Sequence, residues 1–161
     1  MVATDAFARN PYLDIRGRIN LAMRILGVDP GQNRIGLALS DPTGTIATPL
    51  TVIQHVSRQI DAAAIAKTAA ENEAGLIVVG QTLDMDGNPN LSGRQAARLA
   101  GAIRAQTNIP VQMWDEGYST RDAKQTRVKL GVSSDKRKGH LDDLAAAVIL
   151  QSYLDSHQNP G

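Results

Sequence analysis

The fold class this 161-residue sequence predicts is α/β, a mixed five-stranded sheet flanked by helices. Short β-compatible runs come first and then alternate with Ala-rich helical stretches, in the order β-β-β-α-β-α-β-α-α. Leu76–Val79 is continuously aliphatic and closed by Gly80, which suits a central parallel strand. The opening stretch Ile25 to Asp41 folds two apolar strands back through Pro30-Gly31-Gln32-Asn33, a run of turn-forming residues.

The elements follow in order. Arg24–Asp29 and Ile35–Ser40 are the first two strands. Thr45–Gln54 is the third, and Pro49 restricts it to an edge or an interrupted piece. Ser57–Asn72 is helix, with Ser57 as the candidate N-cap. After the Leu76–Val79 strand, Asp86-Gly87-Asn88-Pro89 marks Leu83–Asn90 as a loop. Ser92–Gln106 is the next helix, with Leu99 and Ile103 on one face and Arg94 and Arg98 on another. Val111–Trp114 is the fifth strand. Ser119 opens a helix to about Leu130, stopped by Gly131; Ser133–Gly139 is a basic loop, and His140–Leu154 is the last helix. Residues 23–156 form one domain, preceded by a poorly ordered extension (1–22) and followed by a short tail (157–161).

Composition narrows the function. Aromatics are scarce, so the core is aliphatic and base stacking on an aromatic platform is not the main binding mode. The absence of cysteine excludes disulfides and thiolate metal sites, in keeping with a cytoplasmic setting. No apolar run approaches the ~20 residues that span a bilayer, so no membrane partner is expected. The net charge of +1 gives no global pull on nucleic acid. Locally, however, Arg121, Lys124, Arg127, Lys129, Lys136, Arg137 and Lys138 face only Asp122 and Asp135. Such a field can hold phosphates; alone it would read as a solvated helix face and loop.

The acids carry the chemistry. Asp29 leaves a strand that reads as buried on both faces, where a carboxylate needs a cation or a hydrogen-bond network. Asp115 and Glu116 end another strand, and strand ends of open α/β sheets are where ligands bind. In the last helix Leu141, Leu144, Ala145, Val148, Ile149 and Ser152 form the expected buried stripe. That phase sets Asp142 at the stripe's edge and Asp143 a further ~100° round, toward solvent. Acids in a helix's first turn also complement its dipole, a purely structural explanation. Carboxylates gathered from separate elements repel unless they share cations. Two divalent ions ~4 Å apart can clamp the attacking water and the leaving oxygen of a phosphodiester. Oxygen ligands suit Mg²⁺ or Mn²⁺; zinc would recruit His, and of the three histidines only His140 borders a cluster. Strand phase groups Val111, Met113 and Asp115 on one side and Gln112, Trp114 and Glu116 on the other, without saying which side holds the site.

At these motifs the chain resembles the YqgF/RuvX family, whose members are named for pre-16S rRNA nuclease and Holliday-junction resolvase activities. The matching pieces are Gly27-Val28-Asp29-Pro30-Gly31 with Arg34-Ile35-Gly36-Leu37-Ala38, the strand Ile77-Val78-Val79-Gly80, and Met85-Asp86-Gly87. Asp115-Glu116 with Ser119-Thr120, and Asp142 with Ala145-Ala146, complete the match. It runs from about Met23 to Tyr153. The resemblance implies an RNase H-like fold with Asp29, Glu116 and Asp142 as catalytic metal ligands, and Asp115 as the alternate to Glu116. It implies backbone contacts from Arg34 and the basic loop Lys136, Arg137 and Lys138, with Asp84–Asn90 bordering the substrate groove. Two departures stand out: Gly117 where the family usually has Arg, and Gln81-Thr82-Leu83 for a Gly-Leu-Pro-Leu-type segment. Losing that Arg removes a cation beside the acids and shifts phosphate binding toward Lys124 and Arg127.

The leading expectation is a metal-dependent nuclease acting on structured RNA in ribosomal precursors. Branched DNA, as in Holliday-junction resolution during recombination and repair, is the alternative substrate. A non-catalytic RNA- or ribosome-binding module is the alternative from another class, and it predicts salt-sensitive binding that survives loss of Asp29. A sugar-kinase-like reading of the Asp-x-Gly hairpin is set aside, because such enzymes enclose ATP between two lobes and this chain has room for one.

Overall fold

Turn chemistry and strand period make the first three strands an antiparallel meander: β1 (Arg24–Pro30), β2 (Arg34–Ser40) and β3 (Ala47–Gln54). The computed structural model describes residues 23–81, 86–88, 90–115 and 134–158, and the backbone alone for 134–143 and 158. Strands β4 (Ala74–Gln81) and β5 (Val111–Asp115) add in parallel to β1, giving the order β3-β2-β1-β4-β5. The sheet is therefore mixed, as expected, and β3 lies at its edge. There the proline, which has no N–H for the ladder, coincides with an irregularity: Leu37 pairs with Thr51 but Ala38 pairs with Pro49.

Two helices cover one face. Helix α1 (Arg58–Glu71) is capped by the Ser57 side chain, which accepts from the Ile60 N–H, and α2 (Leu91–Gln106) by Asn90, which accepts from Gly93 N–H. Their buried residues Ala62, Ile65, Ala69, Ala96, Leu99 and Ile103 pack on Leu26, Val28, Ile77 and Val79 of the central strands. The opposite face receives the last helix, α3 (Ser134–Gln158), against Ile25, Ala38, Leu76 and Val78. Alternation along β1 thus sends Leu26 and Val28 to one core and Ile25 and Gly27 to the other.

Helix α3 departs from expectation in two ways. It begins at Ser134, so the expected basic loop Ser133–Gly139 is helical from its second residue. Lys136, Arg137 and Lys138 are good helix formers, and one interior Gly costs only about 1 kcal/mol. The buried stripe is also rotated. Ala146, Ala147, Ile149, Leu150, Tyr153 and Leu154 are buried, whereas Leu144, Ala145, Val148 and Ser152 are only half-buried. The reason is a close approach. A Cβ on Gly27 would stand 2.8 Å from Leu150 Cβ and 3.3 Å from the Ala146 carbonyl oxygen, so the turn from Ala146 to Leu150 rests directly on β1 at its glycine and sets which residues face the sheet. The expected helix Ser119–Leu130 lies outside the described residues, as do residues 1–22 and most of the Leu83–Asn90 loop.

Candidate active site

Because β1, β4 and β5 are mutually parallel, their C-terminal ends share one sheet edge. Asp29, the next-to-last residue of β1, pairs with Gly36 of β2. It is half-buried. Strand alternation continues from Ile25 and Gly27, so Asp29 lies on the α3 face. Arg34 opens the antiparallel β2 at the same edge. It is exposed and shares the parity of Gly36 and Ala38, hence the α3 face too.

The two sides of β5 face different helices. Tyr153 of α3 donates from its hydroxyl to Gln112 Oε1 at 2.6 Å, and Trp114 Nε1 donates to Ser152 Oγ at 3.3 Å. Gln112 and Trp114 therefore face α3, while Val111 and Met113 join the α1/α2 core. Asp115 shares their parity and lies on the side of the sheet opposite Asp29. Burial pushes the Tyr153 hydroxyl up to about 12, so it remains a donor to Gln112 at neutral pH.

Helix α3 runs antiparallel to β1. Gln151 brackets the start of β3, accepting from Ala47 N–H at 3.0 Å and donating to the Thr45 carbonyl at 2.9 Å, level with the start of β1. Ala146 lies against Gly27. One more turn, ~6 Å, carries the backbone of Asp142 to the level of Asp29. The side chain of Asp142 and those of Lys136, Arg137 and Lys138 are outside the described residues, as are Glu116, Lys124 and Arg127 entirely. Among the described residues no three His, Cys, Asp or Glu side chains come together.

Two further carboxylates serve structure. Asp41 accepts from Ile46 N–H, the Thr43 hydroxyl and Thr45 N–H, which hold its carboxyl well below the usual carboxylate range and fix the β2–β3 turn. Asp61, buried in the first turn of α1, accepts from Val56 N–H at 3.0 Å and stands 2.5 Å from His55 Nδ1. The sequence reading left His55 outside any cluster. The signal was Asp61 itself, an acid in phase with Ile65 and Ala69 on the helix's buried face. His157 stacks on Tyr153 with ring centroids 4.0 Å apart.

The model of the family described as "RuvX: Holliday junction resolvase" matches residues 23–156. The chain belongs to the RuvX family. A relative from Anaeromyxobacter sp. (strain Fw109-5), named "Putative pre-16S rRNA nuclease", is 44% identical over 133 residues, covering 83% of this chain and 97% of its own. One of the same name from Thermoanaerobacter pseudethanolicus is 40% identical over 138 residues, covering 85% and 99%. The structure of T. thermophilus RuvC with a Holliday junction substrate superposes with TM-score 0.53 at 18% identity, covering 85% of this chain and 96% of that one. The fowlpox virus resolvase with its junction DNA gives 0.50 at 13%, covering 83% and 98%. The fold is thus RNase H-like, as the resemblance implied, and the RuvX protein is a nuclease, a hydrolase of phosphodiester bonds.

Proposed function

We propose that this RuvX nuclease cleaves structured RNA of ribosomal precursors, with Asp29, Glu116 and Asp142 as its catalytic carboxylates. What carries the assignment of residues is the face shared by Asp29 and α3. Gln112 and Trp114 point to that face, and by the two-residue period of the sequence Glu116 would follow them if the alternation of β5 continued one residue further. The donor set is all carboxylate oxygen, while His55 is held by Asp61 and His157 by Tyr153. Such a set fits a hard divalent ion, Mg²⁺ or Mn²⁺, over zinc. When bound, a pair of such ions lowers the pKa of a coordinated water and steadies charge on the leaving oxygen.

The chain's own residues do the rest. Asp29 is fixed by the β1 ladder and Asp142 by α3, so the carboxylates are preorganised on rigid elements. Arg34 at the same edge holds a backbone phosphate, with Lys124, Arg127, Lys136, Arg137 and Lys138 extending the track. Contacts of that kind fix register on the strand without reading bases. RNA stands first because relatives at 36–44% identity are named for precursor 16S rRNA. Branched DNA stands second because the family model is described as a Holliday junction resolvase.

Cleavage of a labelled precursor-rRNA fragment and a four-way DNA junction, each with Mn²⁺, Mg²⁺ or EDTA, tests the proposal. Metal-dependent cutting that is faster on the RNA supports it. Faster cutting of the junction moves the substrate to DNA, and binding without cutting under any metal overturns the catalytic reading.

A further inference from the structure

On the other side of the same sheet edge lies a cleft of about 570 Å³, within the size range of small-ligand pockets. The β1–β2 turn separates it from Asp29. Pro30 and Gly31 form its near wall, and a Cβ on Gly31 would stand 2.3 Å from the Arg34 carbonyl oxygen, so this wall is as tight as a glycine turn allows. Ile35 and Leu99 give the cleft an apolar floor. Gln32 and Gln95 set two side-chain amides at its rim, and Arg58 supplies a guanidinium. Gln32, Gln95 and Arg58 are all exposed, and among the described residues no side-chain hydrogen bond or ion pair engages them.

The charge balance favours an anion. The one acid in the lining is Asp61, 3% exposed, and its oxygens are taken by Val56 N–H and His55 Nδ1. A carboxylate can only accept, so His55 donates from Nδ1 to Asp61, and in the neutral ring Nε2 is left as an acceptor for a ligand's O–H or N–H. His55, 46% exposed, lines the cleft beside Arg58. An apolar floor, amides at the rim and a cation at the mouth match three parts of one ligand: a base's face, its hydrogen-bonding edge and its phosphate.

We infer that this cleft binds one nucleotide unit, supplied by a single-stranded extension of the nucleic acid being cut. The inference rests on the nuclease reading for the strand's origin. A strand held at Arg34 crosses the turn at Pro30 and Gly31 and drops its next unpaired nucleotide into the cleft, with its phosphate on Arg58 and its ribose hydroxyl donating to His55 Nε2. Such an enzyme prefers substrates with unpaired nucleotides next to the cleavage point.

The test is equilibrium binding in EDTA, where cleavage cannot occur. It uses full-length protein, a labelled RNA duplex with a short single-stranded extension, and the same duplex blunt-ended. Wild type should bind the extended duplex roughly tenfold tighter. Arg58→Ala and Gln95→Ala, both at exposed positions, should reduce that preference to less than about twofold while leaving blunt-duplex affinity unchanged. His55→Ala should do the same, and a fold damaged through Asp61 would instead weaken both duplexes. An equal preference in wild type and all variants overturns the site. Binding of UMP or AMP alone, lost in Arg58→Ala, with no preference for the extension, overturns the strand as source and makes the occupant a free nucleotide. Because no cutting is measured, a failure here is separable from a failure of the nuclease reading.

Discussion

Replacing Gly27 by Ala puts one methyl group between β1 and the helix that carries Asp142. The new Cβ would lie 2.8 Å from Leu150 Cβ, and ordinary contact begins at 3.4 Å, so α3 must retreat by at least about 0.6 Å. Leu150 is fully buried, and its Cβ is fixed to the helix backbone, so no rotamer change relieves the contact. Overpacking of this kind costs about 1–3 kcal/mol. For a domain of this size that lowers Tm by roughly 2–12 °C. Unfolding followed by the fluorescence of Trp114, the single tryptophan, reads the loss directly. The site should suffer as well: displacements approaching 1 Å cost on the order of a hundredfold in rate, so cleavage at a temperature where the variant is folded should fall about tenfold or more. A variant with the wild-type midpoint would show that α3 does not rest on β1 at Gly27. A destabilised variant with full activity would show that this contact does not set the position of the catalytic acids.

Other outcomes follow from single contacts. Ser40, buried, accepts from Ile25 N–H at 2.8 Å, so Ser40→Ala strands a buried donor and should cost about 1–3 kcal/mol in urea denaturation; an unchanged midpoint would contradict this. Asp41→Asn should lower stability at neutral pH. Because hydrogen bonds depress the folded-state value, the wild-type advantage is complete above the ordinary value of 3.8 and fades as pH falls through the lower folded value. Denaturation across that window, with a gap that stays constant, would refute the capping role. A phenolate-absorbance difference titration of wild type against Tyr153→Phe should show one hydroxyl titrating at about 12, and titration at its ordinary 10.0 would contradict the burial argument.

Much of this fold was legible because its signals are local. Pro30-Gly31 turns the chain whatever surrounds it, Ser57 caps its helix through its own hydroxyl, and Pro49 marks an edge strand because it lacks a donor. The failures came where packing between distant segments decides. The period of α3 points to Leu141, Leu144, Ala145, Val148, Ile149 and Ser152, yet Ala146, Ala147, Leu150, Tyr153 and Leu154 pack on the sheet, around a close approach to a glycine more than a hundred residues earlier in the chain. Which side of β5 faces α3 is decided by Tyr153 and Ser152, which no periodicity within Val111–Asp115 contains. His55 looked isolated because its partner is reached only through the turn from β3 into α1.

The central claim is that the catalytic carboxylates lie on the α3 face of the sheet's C-terminal edge. The most direct test compares Asp115→Asn with Glu116→Gln, adjacent residues of similar chemistry, in the same metal-dependent cleavage assay. The account predicts that Glu116→Gln loses activity by about a hundredfold or more while Asp115→Asn stays within severalfold of wild type. Loss of activity in Asp115→Asn with Glu116→Gln still active would place the site on the α1/α2 face and contradict the account.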